Sequence, residues 1–207
     1  MNRSVLGTVG SPLVQVESPP GSIVAAKVES RNPGGSAKDR PALAMIEAAE
    51  RAGEIEPGDT IVEPTSGNTG IGIAMVAAAR GYDAIIVMPG SKSPERQQIM
   101  RAYGARLDLV DGDISDAKDH ADELEETEDA VQLRQFENEA NPRAHYETTG
   151  KEIPDPLAGI DLDAFVTRVV TGGPFSSSGR LPPESPPLTN LITPDRDARL
   201  QLTGSQP

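Results

Sequence analysis

Between Thr60 and about Phe136, short apolar runs alternate with longer amphipathic stretches. Thr60-Ile61-Val62-Glu63 has the composition of a strand and leads into the loop Thr65-Ser66-Gly67-Asn68-Thr69-Gly70. A helix is expected from about Ile71 to Arg80, stopped by Gly81. Ala84-Ile85-Ile86-Val87-Met88 is nearly all apolar, as a strand buried on both faces should be. Ser93-Pro94-Glu95 opens a second helix that ends at Gly104, because serine caps well and proline suits the first helical position. Arg106 to Val110 is the next expected strand, Asp113 to Asp129 a very acidic helix, and Val131 to Phe136 a further strand. Strand and helix repeating in this order predict an α/β fold, a doubly wound parallel sheet with helices on both faces. Ligands of such sheets bind beyond the carboxyl ends of the strands.

The two ends follow other patterns. Val9 to Val16 and Ile23 to Val28 have the look of strands that pair elsewhere. From Leu181 onward Pro182, Pro183, Pro186, Pro187 and Pro194 interrupt any helix or central strand, so 179–207 is expected to be a disordered or unpaired tail. The organisation expected is an α/β domain over 36–150 and an incomplete second domain built from 1–35 and 151–178.

Composition removes several function classes. The longest apolar stretch, Ile71 to Ala79, contains Gly72 and is too short to cross a bilayer. The N-terminus lacks the order of a signal peptide, so a cytoplasmic location is expected. There is no cysteine and there are two histidines, His120 and His145, which leaves neither thiol chemistry nor material for a metal site. The formal charge of −13 and pI near 4.6 argue against a nucleic-acid partner. Arginine outnumbers lysine 14 to 5, and the 15 aspartates and 17 glutamates suggest adaptation to high salt beside the plainer reading of an ordinary acidic protein.

Two short segments carry candidate chemistry. Lys38 lies in Asn32-Pro33-Gly34-Gly35-Ser36-Ala37-Lys38-Asp39-Arg40. A lysine near a helix start is usually a solvated charge. Here the glycines allow a close backbone approach, Ser36 could cap a helix, and Leu43, Met45, Ile46 and Ala49 supply its apolar face. The positive end of a helix dipole disfavours an ammonium, as a Schiff-base lysine requires. The second segment, Thr65 to Gly70, could be a plain strand-to-helix connection. Yet Thr65, Ser66 and Thr69 add hydroxyls at a helix N-terminus, where anions bind readily. Glycines at 67, 70 and 72 read G-x-x-G-x-G, which is not a dinucleotide fingerprint.

Together these segments resemble the pyridoxal-phosphate enzymes of the cysteine synthase and cystathionine β-synthase family. Asn-Pro-Gly-Gly-Ser-x-Lys-Asp-Arg resembles the family's Schiff-base lysine motif, and the loop from Pro64 to Gly70 matches it at seven consecutive residues. The resemblance implies fold type II, pyridoxal 5′-phosphate held by Lys38, and Asn68 bonded to the cofactor's 3′-oxygen. It implies a substrate carboxylate gripped by Thr65, Ser66, Thr69 and Gln135. His145, in the similar Asn141 to Gly150 segment, is read as structural or solvent-facing.

The family's phosphate loop reads Gly-x-Gly-Thr-Gly-Gly-Thr. Thr171, Gly172 and Gly173 fit it, whereas Arg168 and Val170 replace glycines and Pro174 replaces the last threonine. Nothing similar follows Gly179-Arg180, so a truncated or frame-altered chain of doubtful activity is expected. The activity implied is β-replacement on O-acetylserine or a related serine derivative, with sulfide giving L-cysteine, in a protein that would be a homodimer if complete. Cystathionine β-synthase chemistry and a non-catalytic remnant that binds no cofactor stay open beside it.

Overall fold

The computed structural model describes residues 2–153, 157, 160 and 163–166, and the backbone at 191–194 and 200–203. The chain divides into two compact units, 1–9 with 29–138 and 10–28 with 139–207. Each unit is tied internally by an ion pair. Glu29, in the short 3-10 turn Glu29–Arg31, pairs with Arg40 in the first unit. Glu152 pairs with Lys27 in the second.

The first unit holds a four-stranded parallel sheet of β3 (Thr60–Pro64), β4 (Asp83–Pro89), β5 (Arg106–Val110) and β6 (Ala130–Gln132). The order is β5-β4-β3-β6, so the chain steps outward from β3 to β5 and then returns to the other side of β3. Helices α1 (Asp39–Ala52), α2 (Asn68–Arg80), α3 (Pro94–Ala102) and α4 (Ile114–Thr127) accompany it. On one face Val62, Ile85 and Val87 pack against Ala117, Ala121 and Leu124 of α4. On the other, a Cβ at Gly70 of α2 would lie 3.2 Å from Ile86. The expected strand–helix alternation and doubly wound α/β class are therefore present.

Local chemistry sets the helix ends. Gly53 and Gly81 close α1 and α2 with φ of 72° and 83°, left-handed values that favour glycine. Ser93 accepts the N–H of Arg96 with Pro94 at the first turn of α3, as its sequence predicts. Asp113 and Asp116 form a reciprocal capping box at α4.

Several expectations need correction. α2 starts at Asn68, three residues before Ile71, because the glycine at 67 takes the N-cap position. Ser36 does not cap α1. Lys38 occupies that position, and the Ser36 hydroxyl accepts the Lys38 N–H at 3.1 Å instead. Strand β6 stops at Gln132; Arg134 turns to φ 52° and Phe136 is 75% exposed.

In the second unit, β1 (Leu13–Val16) and β2 (Val24–Lys27) pair antiparallel with each other. Helices α5 (Ala140–Glu147) and α6 (Thr149–Glu152) belong to the same unit, where the buried His145 ring meets the Thr149 hydroxyl at 3.1 Å, a structural placement. The tail is not wholly unpaired: β7 (Phe165–Val166) pairs parallel with β8 (Leu191–Pro194), and β8 antiparallel with β9 (Leu200–Thr203). Proline ends β8, which fits its missing donor. The rest of 179–207 lies outside the described residues.

Candidate functional site

Three segments bear the sequence-predicted side chains, two of them at the carboxyl ends of β3 and β6. The first is the turn before α1. Gly35 adopts φ 85°, and its N–H donates to the Asn32 carbonyl at 2.8 Å, closing the turn. The close approach that the glycines permit is to Asp39: Gly34 donates its N–H to the carboxylate at 2.5 Å, and a Cβ at Gly34 would lie 2.5 Å from the same group. Arg40 is clamped bidentately by Glu29 at 2.8 and 3.0 Å, and Asn32 donates to that glutamate at 2.7 Å. Both residues after Lys38 are thus tied to the turn before it. Burial lowers the Lys38 ammonium's pKa from the ordinary lysine value. Burial also raises the Asp39 carboxyl to about 6, opposed next by its hydrogen bond from Gly34.

The second segment is the loop from β3 into α2. Thr65 is buried, its N–H bonded to the Val87 carbonyl at 3.0 Å and its hydroxyl accepting the Gly67 N–H at 3.4 Å. Thr69 is buried, Ser66 half-buried and Asn68 exposed in the first turn of the helix. Helix starts present N–H groups without intrahelical acceptors, which makes this end suited to an anion. Gly70 serves packing and not loop freedom: a Cβ there would meet Met100 at 2.8 Å and Thr65 at 3.0 Å. Gly72 brings the two segments together, since its Cβ would sit 3.0 Å from the Lys38 carbonyl. Asn68 is one helical turn earlier, about 6 Å along the axis.

The third segment follows β6. Gln135 is buried, and its N–H donates to Glu63 Oε1 at 3.1 Å, while the Arg134 N–H donates to Oε2 at 3.0 Å. The sequence does not single out Glu63. It stands in an apolar strand run, and a charged residue there, followed at once by the hydroxyl-rich loop, was the available signal. Burial raises its carboxyl to about 7, against hydrogen bonds from Gln135, Arg134 and Leu133 that lower it.

The structure therefore gathers Lys38 with the start of α2, and Gln135 with β3 two residues before Thr65. Thr171, Gly172 and Gly173 lie outside the described residues, as do Arg168, Val170 and Pro174. Among the described residues no group of acidic or histidine side chains is arranged for a metal ion. No helix among them is long and apolar enough to cross a membrane.

Residues 6–181 match the family described as pyridoxal-phosphate dependent enzyme. A cysteine synthase of Staphylococcus aureus is 48% identical over 186 residues, covering 89% of this chain and 60% of the relative. A cysteine synthase of Flavobacterium sp. is 43% identical over 211 residues, covering 99% of this chain and 68% of the relative. That match extends past residue 181, where no resemblance was expected. The crystal structure of O-ureido-L-serine synthase superposes with a TM-score of 0.87 at 44% identity, covering 93% of this chain and 63% of that one. The chain thus spans about three-fifths of the length of the Staphylococcus relative.

Proposed function

The chain belongs to the family of pyridoxal-phosphate dependent enzymes, and from that premise we propose that it serves β-replacement on a serine derivative, O-acetylserine with sulfide giving L-cysteine. The observation that carries this reading is the packing of the Lys38 turn on the first turns of α2 through Gly72. The donor set fits the cofactor. Lys38 is partly buried with a lowered pKa, Asn68 offers an exposed amide at a helix start, and a Cβ at Gly67 would meet nothing within 4 Å. Residues 36–150 would carry these groups, with 1–35 and 151–178 in the second domain.

In this reading Lys38 would hold pyridoxal phosphate, Asn68 would bond its 3′-oxygen, and Thr171, Gly172 and Gly173 would contribute to the phosphate site. When bound, the cofactor supplies the electron sink for charge developing at the substrate's α-carbon. The protein's part is binding, orientation and proton transfer. Thr65, Ser66, Thr69 and Gln135 orient the substrate carboxylate at the α2 start, where the helix dipole favours an anion. Lys38 Nζ, freed when the substrate amine takes its place, would accept the α-proton, a role that its lowered pKa suits. The acidic charge supports a salt-rich cytoplasm as the setting, and a homodimer follows from the resemblance. A second reading changes the nucleophile, as in cystathionine β-synthase chemistry. The similarity to O-ureido-L-serine synthase favours keeping it.

Borohydride reduction of the chain incubated with pyridoxal phosphate tests the assignment. Label is expected on Lys38 and absent from Lys27, Lys92, Lys118 and Lys151; label elsewhere overturns it. Sulfide-dependent cysteine formation should vanish in Lys38→Ala. Turnover of the unmodified chain should be low, because Pro174 removes a hydroxyl and an N–H that a phosphate would use, weakening cofactor binding by roughly a hundredfold. Restoring the Gly-x-Gly-Thr-Gly-Gly-Thr loop should raise it.

A further inference from the structure

The sheet order reverses at β3, which has β4 on one side and β6 on the other. Ligands of open α/β sheets settle at such reversals. The Thr65 loop leaves the end of β3 and the Gln135 turn leaves the end of β6, so the reversal separates two segments proposed to hold one carboxylate. A buried side chain, that of Glu63, joins them.

The β3–β6 ladder ends with Val62 opposite Gln132. One residue further, the partner of the β6 segment is the Glu63 carboxylate and no longer a main-chain carbonyl. One oxygen accepts the Arg134 N–H at 3.0 Å and the other the Gln135 N–H at 3.1 Å. Leu133 contributes a further main-chain hydrogen bond, and the Gln135 side chain bonds the same carboxylate. Arg134 is held at φ 52°, a left-handed conformation that a residue with a Cβ seldom adopts unless its surroundings impose it. A carboxylate with 1% exposure in a strand beside Ile61 and Val62 is costly without such donors. The turn and the carboxylate therefore require each other.

We propose that Glu63 is a positioning residue for the amino-acid substrate: its carboxylate seats the Leu133–Gln135 turn on β3 and so sets where the Gln135 amide stands relative to the Thr65 loop. The proposal rests on the substrate site described under Proposed function. Glu63 does not touch the substrate; it acts through Gln135. An amide NH2 has two hydrogens in one plane, so directing one at Glu63 fixes the direction of the other. Shortening or neutralising residue 63 leaves the glutamine present and misplaces it.

Amide hydrogen exchange on the full chain provides the first measurement. The Arg134 and Gln135 amides lie outside any strand ladder, yet in the wild type they should exchange at least about a hundredfold slower than an open turn. Open-turn rates there overturn the proposal, whether or not any variant folds. At about pH 8, where the Glu63 carboxyl is ionised, the same amides in Glu63→Gln should exchange about tenfold faster, because an amide offers one acceptor oxygen where the carboxylate offers two.

The second measurement loads the chain with pyridoxal phosphate and titrates O-acetyl-L-serine, followed by absorbance. Glu63→Gln should raise the half-saturating concentration about tenfold while cofactor absorbance stays within about twofold. A purely structural tie would lower the unfolding temperature and leave half-saturation of the folded variant unchanged, and that result sinks the positioning role. A wild-type chain that takes up no cofactor counts against the proposed function; the exchange rates of Arg134 and Gln135 then still decide whether Glu63 seats the turn.

Discussion

Lys38 owes its place to residues that carry no chemistry of their own. Asp39 reaches back to Gly34 and Arg40 reaches back to Glu29, so the lysine sits between two anchored neighbours. Gly72 then admits the Lys38 carbonyl to within 3.0 Å of where a Cβ would be. Gly72→Ala adds about 1 kcal/mol of helix propensity and forces the Lys38 turn outward by a few tenths of an ångström. Stability should therefore change by less than about 1 kcal/mol, while borohydride labelling of Lys38 falls. Gly72→Val adds branching to the overpacking and should cost about 2–3 kcal/mol. Urea melts and peptide mapping on the two variants read both effects. Unchanged labelling in Gly72→Ala would show that the turn tolerates displacement.

At the scale of elements, two buried carboxyls make the sheet and its first helix sensitive to pH. Glu63 on β3 is raised to about 7 and Asp39 on α1 to about 6, so the folded chain holds protons that the unfolded chain has released. The stability each contributes is complete below the ordinary carboxylate range and is lost as pH rises through 6 and 7. For Glu63 the loss is on the order of 2–3 kcal/mol. The urea midpoint should therefore fall between about pH 4.5 and 7 and level off above that, and Glu63→Gln should flatten the decline. A midpoint that rises over that interval would contradict the assignment of both groups.

The same elements show what the amino-acid order makes legible. Ile85 to Met88 announces a strand buried on both faces, and Ser93-Pro94-Glu95 announces the start of α3, because burial and capping are local properties. Thr65, Asn68 and Lys38 are likewise marked by dense local motifs. Glu63 is not, since its donors lie 71 and 72 residues away at Arg134 and Gln135. The short length of β6 and the packing use of Gly70 and Gly72 also depend on distant partners, and periodicity carries no trace of them. Pairing of Phe165 with Leu191 was hidden for the same reason, behind a proline-rich stretch.

For the molecule as a whole, charge is the property with the widest reach. The net charge is −13, and α4 alone carries Asp116, Asp119, Asp122, Glu123, Glu125 and Glu126. Exposed pairs such as Arg106 with Glu128 offset little of that repulsion. Molar KCl should screen it and raise the circular-dichroism melting temperature by about 5 °C, the shift from roughly 2 kcal/mol. A melting temperature indifferent to salt would remove the case for a salt-adapted chain.

The pairing of Lys27 with Glu152 spans 125 positions, and this bears on how the chain is made. Synthesis runs from the N-terminus at roughly 5–20 residues per second, so about 6–25 seconds separate the two residues on the ribosome. During that interval the β1–β2 ribbon is already outside, presenting Val14, Val16, Ile23 and Val24 to solvent. All four strands of the parallel sheet have emerged once residue 132 is outside, before Glu152 itself emerges. Vectorial synthesis thus imposes an order of assembly: the four strands of the parallel sheet are available before Lys27 of the ribbon can meet Glu152.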